Sequence, residues 1–150
     1  MLETNLQMNT LKVVVVSGYF DPLHVGHLEM MEQARELGDY LVVIVNNDLQ
    51  ASLKKGESFM KEEDRLKIVA SIKYVDEAFL AVDKDGSVSA SLSYLSSFGG
   101  SRPSIFANGG DRKNEEIPEA IICKRFGIEI VDGMGDKIRS SSDFTGLKKS

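Results

Sequence analysis

The sequence predicts an α/β fold, a doubly wound five-stranded parallel sheet with helices on both faces. Three observations carry that expectation. Short runs rich in Val, Ile and Leu alternate with stretches of helical spacing; the first run holds four consecutive valines, Val13 to Val16; and it breaks at Gly18 into a segment that starts a helix.

Strands are expected at 11–17, 40–46, 77–82, 104–107 and 128–131, and helices at 25–37, 61–71, 88–98 and 115–126. The first strand feeds the helix that begins near Val25. Between the second strand and the second helix, Lys54 and Lys55 fall in a loop. The stretch 87–101 is serine-rich, yet Leu92, Tyr94 and Leu95 favour a modest helix beneath a solvated face, closed by Gly99-Gly100-Ser101. In the last helix Ile121-Ile122-Cys123 faces the core, and 133–137 reads as a flexible loop after the final strand. This Rossmann-like order places ligands at the carboxyl ends of the strands, beside the topological switch point.

Bulk properties fit a small enzyme. The 150 residues, 42% hydrophobic, suffice for one domain with a real core, with 1–10 as an N-terminal extension and 139–150 as a C-terminal segment. Eighteen basic residues against 23 acidic give a net charge of −5, which argues against general nucleic-acid binding. Cys123 is the single cysteine, so it forms no internal disulfide, and no metal-ligand spacing surrounds it. Residues 1–10 lack the pattern of a signal peptide and no segment has the length of a membrane span, so a cytoplasmic protein is expected.

The run Gly18-Tyr19-Phe20-Asp21-Pro22-Leu23-His24-Val25-Gly26-His27 carries the chemistry. A strand that breaks at glycine and feeds a helix brings backbone N–H groups and a positive dipole end to one spot, which suits phosphate. His24 and His27, three residues apart, reach the same side, and Gly26 lets a ligand approach the backbone. Imidazole N–H groups beside amides hold phosphoryl oxygens as charge builds, so the motif points to phosphoryl or nucleotidyl transfer. A metal pair would want a third ligand, yet these are the only histidines and no cysteine joins them. Asp21 orients a histidine or caps the turn, and Phe20 reads as core. After the fourth strand, Asn108-Gly109-Gly110-Asp111-Arg112 lands at the same edge: glycines for close backbone approach, Arg112 as a fork for phosphate, Asp111 as a contact or a turn residue.

The His24-Val25-Gly26-His27 run resembles the HxGH signature of the cytidylyltransferase-like nucleotidyltransferases. The resemblance covers roughly residues 11 to 145: Lys54-Lys55-Gly56 is similar to the phosphate-contacting lysine loop, Glu63-Asp64-Arg65 to a Glu-x-Arg element, Ser71-Ile72-Lys73-Tyr74-Val75-Asp76 to the segment before the third strand, and Ile138-Arg139-Ser140-Ser141-Ser142 to the second nucleotide-binding signature. It implies the nucleotidyltransferase (HUP-like) architecture. His24, His27, Lys54, Lys55 and Arg139 are then the catalytic candidates, and Gly18, Tyr19, Phe20, Asp21, Gly26, Gly110, Asp111, Arg112, Ser140, Ser141 and Ser142 the nucleotide-binding ones. Tyr19 stands where many relatives carry a small Thr, Ser or Cys, so backbone phosphate binding carries over there and a side-chain hydroxyl role does not. Arg65 reads equally well as a helix-surface charge.

The implied reaction starts from a nucleoside triphosphate with Mg²⁺ held mainly by phosphates and water. A phosphate on a small acceptor attacks the α-phosphorus and pyrophosphate leaves, with no covalent enzyme intermediate. The 71–76 segment looks most like the glycerol-phosphate cytidylyltransferase branch, which favours CTP and glycerol 3-phosphate. The 108–112 loop and the Ser140 to Ser142 ending depart from that branch and keep an ATP-dependent heptose-phosphate or FAD-synthase-like activity open. A homodimer is implied by resemblance. A non-catalytic nucleotide sensor is the alternative class, and the intact histidines, lysines and Arg139 argue against it.

Overall fold

The computed structural model describes residues 11–109 and 117–134. Its sheet has five strands, β1 (Val13–Gly18), β2 (Tyr40–Val45), β3 (Glu77–Leu80), β4 (Ile105–Gly109) and β5 (Glu129–Met134), in the order β3-β2-β1-β4-β5. Every adjacent pair is parallel. Five helices connect them: α1 (Val25–Glu36), α2 (Asp48–Lys55), α3 (Glu62–Ala70), α4 (Ser89–Ser97) and α5 (Ala120–Phe126).

The valine run explains the layering. Side chains alternate across a strand, so Val13 and Val15 join one core with Leu92 and Leu95 of α4 and Cys123 of α5. Val14 and Val16 join the other with Met31 and Ala34 of α1 and Val69 of α3. A strand buried on both faces reads as a continuous apolar run, which is why no alternation is visible at 13–16. The chain winds from β1 through β2 to β3, then crosses to β4 on the far side of β1. The switch point therefore lies between β1 and β4, and their carboxyl ends open the crevice where ligands enter such sheets.

The expected doubly wound sheet is present, with three local corrections. Residues 48–55 form a helix where the sequence reading has a loop. Asn47 caps it, accepting from Gln50 N–H at 2.8 Å, while Gln50 Oε1 accepts from Asn47 N–H at 3.0 Å. Asn47 is itself anchored, its Nδ2 donating to the carbonyls of Ala81 and Asp83. The cap, set by contacts far along the chain, stabilises a turn that eight residues alone would not. The last helix begins at Ala120 rather than 115, because residues 117–119 form a turn, and it ends on Gly127 in the left-handed conformation, φ 72°. β5 runs on to Met134, absorbing two residues expected in a loop, since β4 also extends and pairs Gly109 with Met134 across a register shift.

Candidate active site

β1 delivers the chain to the crevice at Gly18, and a tight turn follows. Phe20 adopts φ 53°, a region non-glycine residues rarely enter, and its ring is buried, 2% exposed. That packing needs Gly18: a Cβ there would lie 2.7 Å from the Phe20 ring. The ring in turn stands edge-on to His27, with centroids 5.0 Å apart. Phe20 is thus the core residue expected, and it braces an imidazole.

The two histidines form a reciprocal helix cap. His24 is the N-cap of α1, and its Nδ1 accepts from Gly26 N–H at 3.1 Å. His27 reaches back, its Nδ1 accepting from His24 N–H at 3.0 Å, and the rings lie 3.9 Å apart between centroids. This is the capping-box arrangement with imidazoles in place of the usual hydroxyl and carboxylate. A neutral imidazole that accepts at Nδ1 carries its proton on Nε2, so the box selects the Nε2–H tautomer in each ring. The sequence expectation of amides open to phosphate is corrected here, since the N–H groups of His24 and Gly26 are already engaged within the box. Burial, and then the neighbouring His24, push the His27 pKa down to about 4. At neutral pH His27 is an uncharged hydrogen-bond donor.

Asp21 ties this turn to a distant segment. Its carboxylate accepts from the N–H groups of Phe59 and Met60, each at 2.7 Å. Arg65 completes the tie, and it is the residue the sequence reading under-weighted. Far from a surface charge, its guanidinium is 1% exposed. Nε donates to Met60 O at 2.8 Å, one terminal nitrogen to Tyr19 O at 2.9 Å and Asn46 O at 2.7 Å, and the other to Asp48 Oδ1 at 2.7 Å. One planar fork thereby joins the histidine turn, the end of β2, the start of α2 and the 59–60 segment. Burial alone would raise the Asp48 pKa, but hydrogen bonds, first from Arg65, outweigh it and hold the carboxyl below its ordinary value. A signal for Arg65 existed: it precedes buried Val69 by four residues, on the inward stripe of α3.

Lys54 and Lys55 lie in the last turn of α2 rather than in a loop. Lys54 Nζ sits 4.6 Å from the centroid of the Tyr19 ring, which brings a cation to the histidine turn. Partial burial raises the Tyr19 pKa, with nearby Arg65 opposing, so the phenol stays protonated at neutral pH. At the end of β4, Asn108 Nδ2 donates to Asp132 Oδ1 of β5 at 3.5 Å. Gly110, Asp111, Arg112, Arg139, Ser140, Ser141 and Ser142 lie outside the described residues. Gly18, Tyr19, Phe20, Asp21, His24, Gly26, His27 and Lys54 are brought together at the end of β1. Among the described residues no three His, Cys, Asp or Glu side chains converge as a metal site, and no helix is long and apolar enough to cross a membrane.

Fold and site together define a parallel α/β domain whose paired imidazoles sit at the switch point. The cytidylyltransferase-like family description matches residues 15–122, and the chain belongs to that family of nucleotidyltransferases. The bifunctional protein HldE of Desulfatibacillum aliphaticivorans is 31% identical over 136 residues, 89% of this chain and 24% of the relative. The FAD synthase of Thermococcus kodakarensis is 47% identical over 68 residues, 45% of this chain and 46% of the relative. The chain thus spans a quarter to a half of the length of these curated relatives. Among solved structures, the lipopolysaccharide core biosynthesis protein from Thermoplasma volcanium superposes with a TM-score of 0.66 at 27% identity, covering 81% of this chain and 95% of that one.

Proposed function

We propose that this chain transfers an adenylyl group from ATP to the phosphate of a small phosphomonoester, releasing pyrophosphate. The observation that carries the reading is the His24–His27 box, which presents two imidazoles in the Nε2–H tautomer at the carboxyl end of β1. Sequence features of the 71–76 segment favour CTP, whereas the FAD synthase relatives, whose product contains an adenylyl group, support ATP. A polyol or sugar phosphate and an aromatic phosphomonoester are both compatible with this chemistry.

An acceptor phosphate oxygen attacks the α-phosphorus in line, a new P–O bond forms, and the bond from the α-phosphorus to the bridging oxygen breaks, the electron pair leaving with pyrophosphate. The acceptor phosphate is already a nucleophile at neutral pH, so no general base is required. Charge accumulates on the non-bridging oxygens and on the leaving group. Neutral His27 and its partner His24 donate to the former through Nε2–H, and Lys54, held over the Tyr19 ring of the same turn, neutralises the latter. Each donor of this kind is worth about 10²- to 10³-fold in rate. Magnesium would be held by the triphosphate's own oxygens and water, and would supply charge neutralisation there beside Lys54. By resemblance, Arg139 and Ser140 to Ser142 complete the nucleotide contacts and the chain works as a homodimer.

The test is pyrophosphate release with Mg²⁺ across ATP, CTP, GTP and UTP, each with glycerol 3-phosphate, sugar phosphates and flavin mononucleotide. Release with ATP and one acceptor, lost in His27→Ala, supports the reading. Release only with CTP reassigns the base, and tight nucleotide binding without release from any pair makes the chain a sensor.

A further inference from the structure

The geometry points to Tyr19 as the positioning residue for Lys54: its ring is a platform that holds the ammonium where the leaving pyrophosphate gathers charge. This rests on the adenylyl-transfer reading and adds to it the group that places the cation.

Lys54 is an exposed residue of α2, and a lysine stem left to itself samples many rotamers, so its charge has no fixed place. Here Nζ lies 4.6 Å from the centroid of the Tyr19 ring. Both ends of that contact are set by one buried group. Arg65 donates to Tyr19 O at 2.9 Å and, through its other terminal nitrogen, to Asp48 Oδ1 at 2.7 Å, and Asp48 is the first residue of the helix that carries Lys54. Phe20, next to Tyr19, is buried at φ 53° and fixes the chain on the other side of the ring. The root of the platform and the helix that bears the cation are therefore held relative to one another.

An aromatic ring suits this duty better than a carboxylate. A carboxylate would neutralise the ammonium, whereas a ring attracts it through its quadrupole and leaves the full positive charge to meet an anion. Among the described residues no carboxylate pairs with Lys54. An ammonium has three N–H donors, so one directed at the ring leaves others for phosphate oxygens. Arg65, the buried cation of the same turn, is committed to protein acceptors and cannot take this part.

The test compares the wild type with Tyr19→Phe, Tyr19→Leu, Lys54→Ala and the double variant Tyr19→Leu/Lys54→Ala, with melting temperature as the fold control. In proton NMR spectra the ε-methylene signal lost in Lys54→Ala should be shifted upfield by the ring current in the wild type and in Tyr19→Phe, and should return to the ordinary lysine position in Tyr19→Leu. Titration with inorganic pyrophosphate and Mg²⁺ should find Tyr19→Leu about two- to fivefold weaker, with Tyr19→Phe restoring the affinity. The double variant should bind no more weakly than Lys54→Ala alone, because the ring acts through the ammonium. Transfer from ATP should follow the same order. A loss of equal size with and without Lys54 overturns the proposal, since the ring then acts on the ligand or the fold directly. A Lys54 signal at the ordinary position in the wild type overturns it without recourse to any Tyr19 variant. Transfer that Tyr19→Leu leaves unchanged overturns this inference and leaves adenylyl transfer standing. Coupled pyrophosphate binding without transfer to any acceptor does the reverse.

Discussion

His24 and His27 cap one another: the N–H of His24 donates to His27 Nδ1 at 3.0 Å, and His24 Nδ1 accepts from Gly26 N–H at 3.1 Å. Each ring therefore spends Nδ1 on the helix start. On the proposed reading the chemical duty falls on Nε2, so the two duties sit on different atoms and are separable by substitution.

His27→Gln retains a side-chain acceptor at the third helical position, where glutamine serves natural capping boxes, but replaces the rigid imidazole Nε2–H by an amide N–H displaced from the ring's donor position. Its thermal midpoint should stay within a few degrees of the wild type, while pyrophosphate release falls about 10²-fold or more. His27→Ala should lose activity to a similar extent and in addition about 1 kcal/mol of stability, read from urea unfolding. If His27→Gln unfolds as readily as His27→Ala, the reciprocal cap contributes nothing.

Stability should depend on pH through His27. Its folded pKa of about 4 lies below the ordinary 6.5, so between these values the unfolded chain binds a proton that the folded one excludes. The contribution is fully present above pH 6.5 and drains away as pH falls toward 4. Comparing urea midpoints of wild type and His27→Gln across pH 4 to 7 checks this; the wild type should lose stability relative to the variant as acid is added.

Arg65→Lys should be costly despite conserving charge. A single ammonium cannot reach Met60 O, Tyr19 O, Asn46 O and Asp48 Oδ1 from one buried point, leaving carbonyls unpaired. The expected loss is about 3 kcal/mol in equilibrium unfolding. A change within experimental error would mean that water replaces the fork.

Asp21→Ala removes the acceptor shared by the Phe59 and Met60 amides. Hydrogen exchange at these two amides should accelerate more than tenfold while amides within β1 keep their protection. Asp21→Asn, with one remaining carbonyl oxygen, should fall between.

Lys54→Ala should lower the transfer rate about 10- to 100-fold with little change in melting temperature, because its ammonium rests on the Tyr19 ring at the surface of the turn. Equal rates with and without Lys54 would remove it from the site.

The fold was largely legible because its first two strands, Val13–Gly18 and Tyr40–Val45, are apolar runs that burial on two faces makes unambiguous. The histidine pair was legible because its parts are contiguous between Gly18 and His27. Arg65 was not: a charged residue on a predicted helix looks solvated until the acceptors that satisfy it, Tyr19 O and Asn46 O among them, arrive from 46 and 19 residues away. α2 was missed for the same reason. Its Asn47–Gln50 cap is local, but the carbonyls of Ala81 and Asp83 that fix Asn47 are distant in sequence.

By itself, then, the sequence determined the strand–helix alternation and the contiguous histidine motif at the end of the first strand, since periodicity and a contiguous motif are local properties. Tertiary structure alone decided which imidazole nitrogen carries the proton, that Arg65 is a buried clamp, and that Phe59 stands exposed beside Asp21. Each of these depends on hydrogen bonds and burial set by the packing of the chain, and no local pattern encodes them.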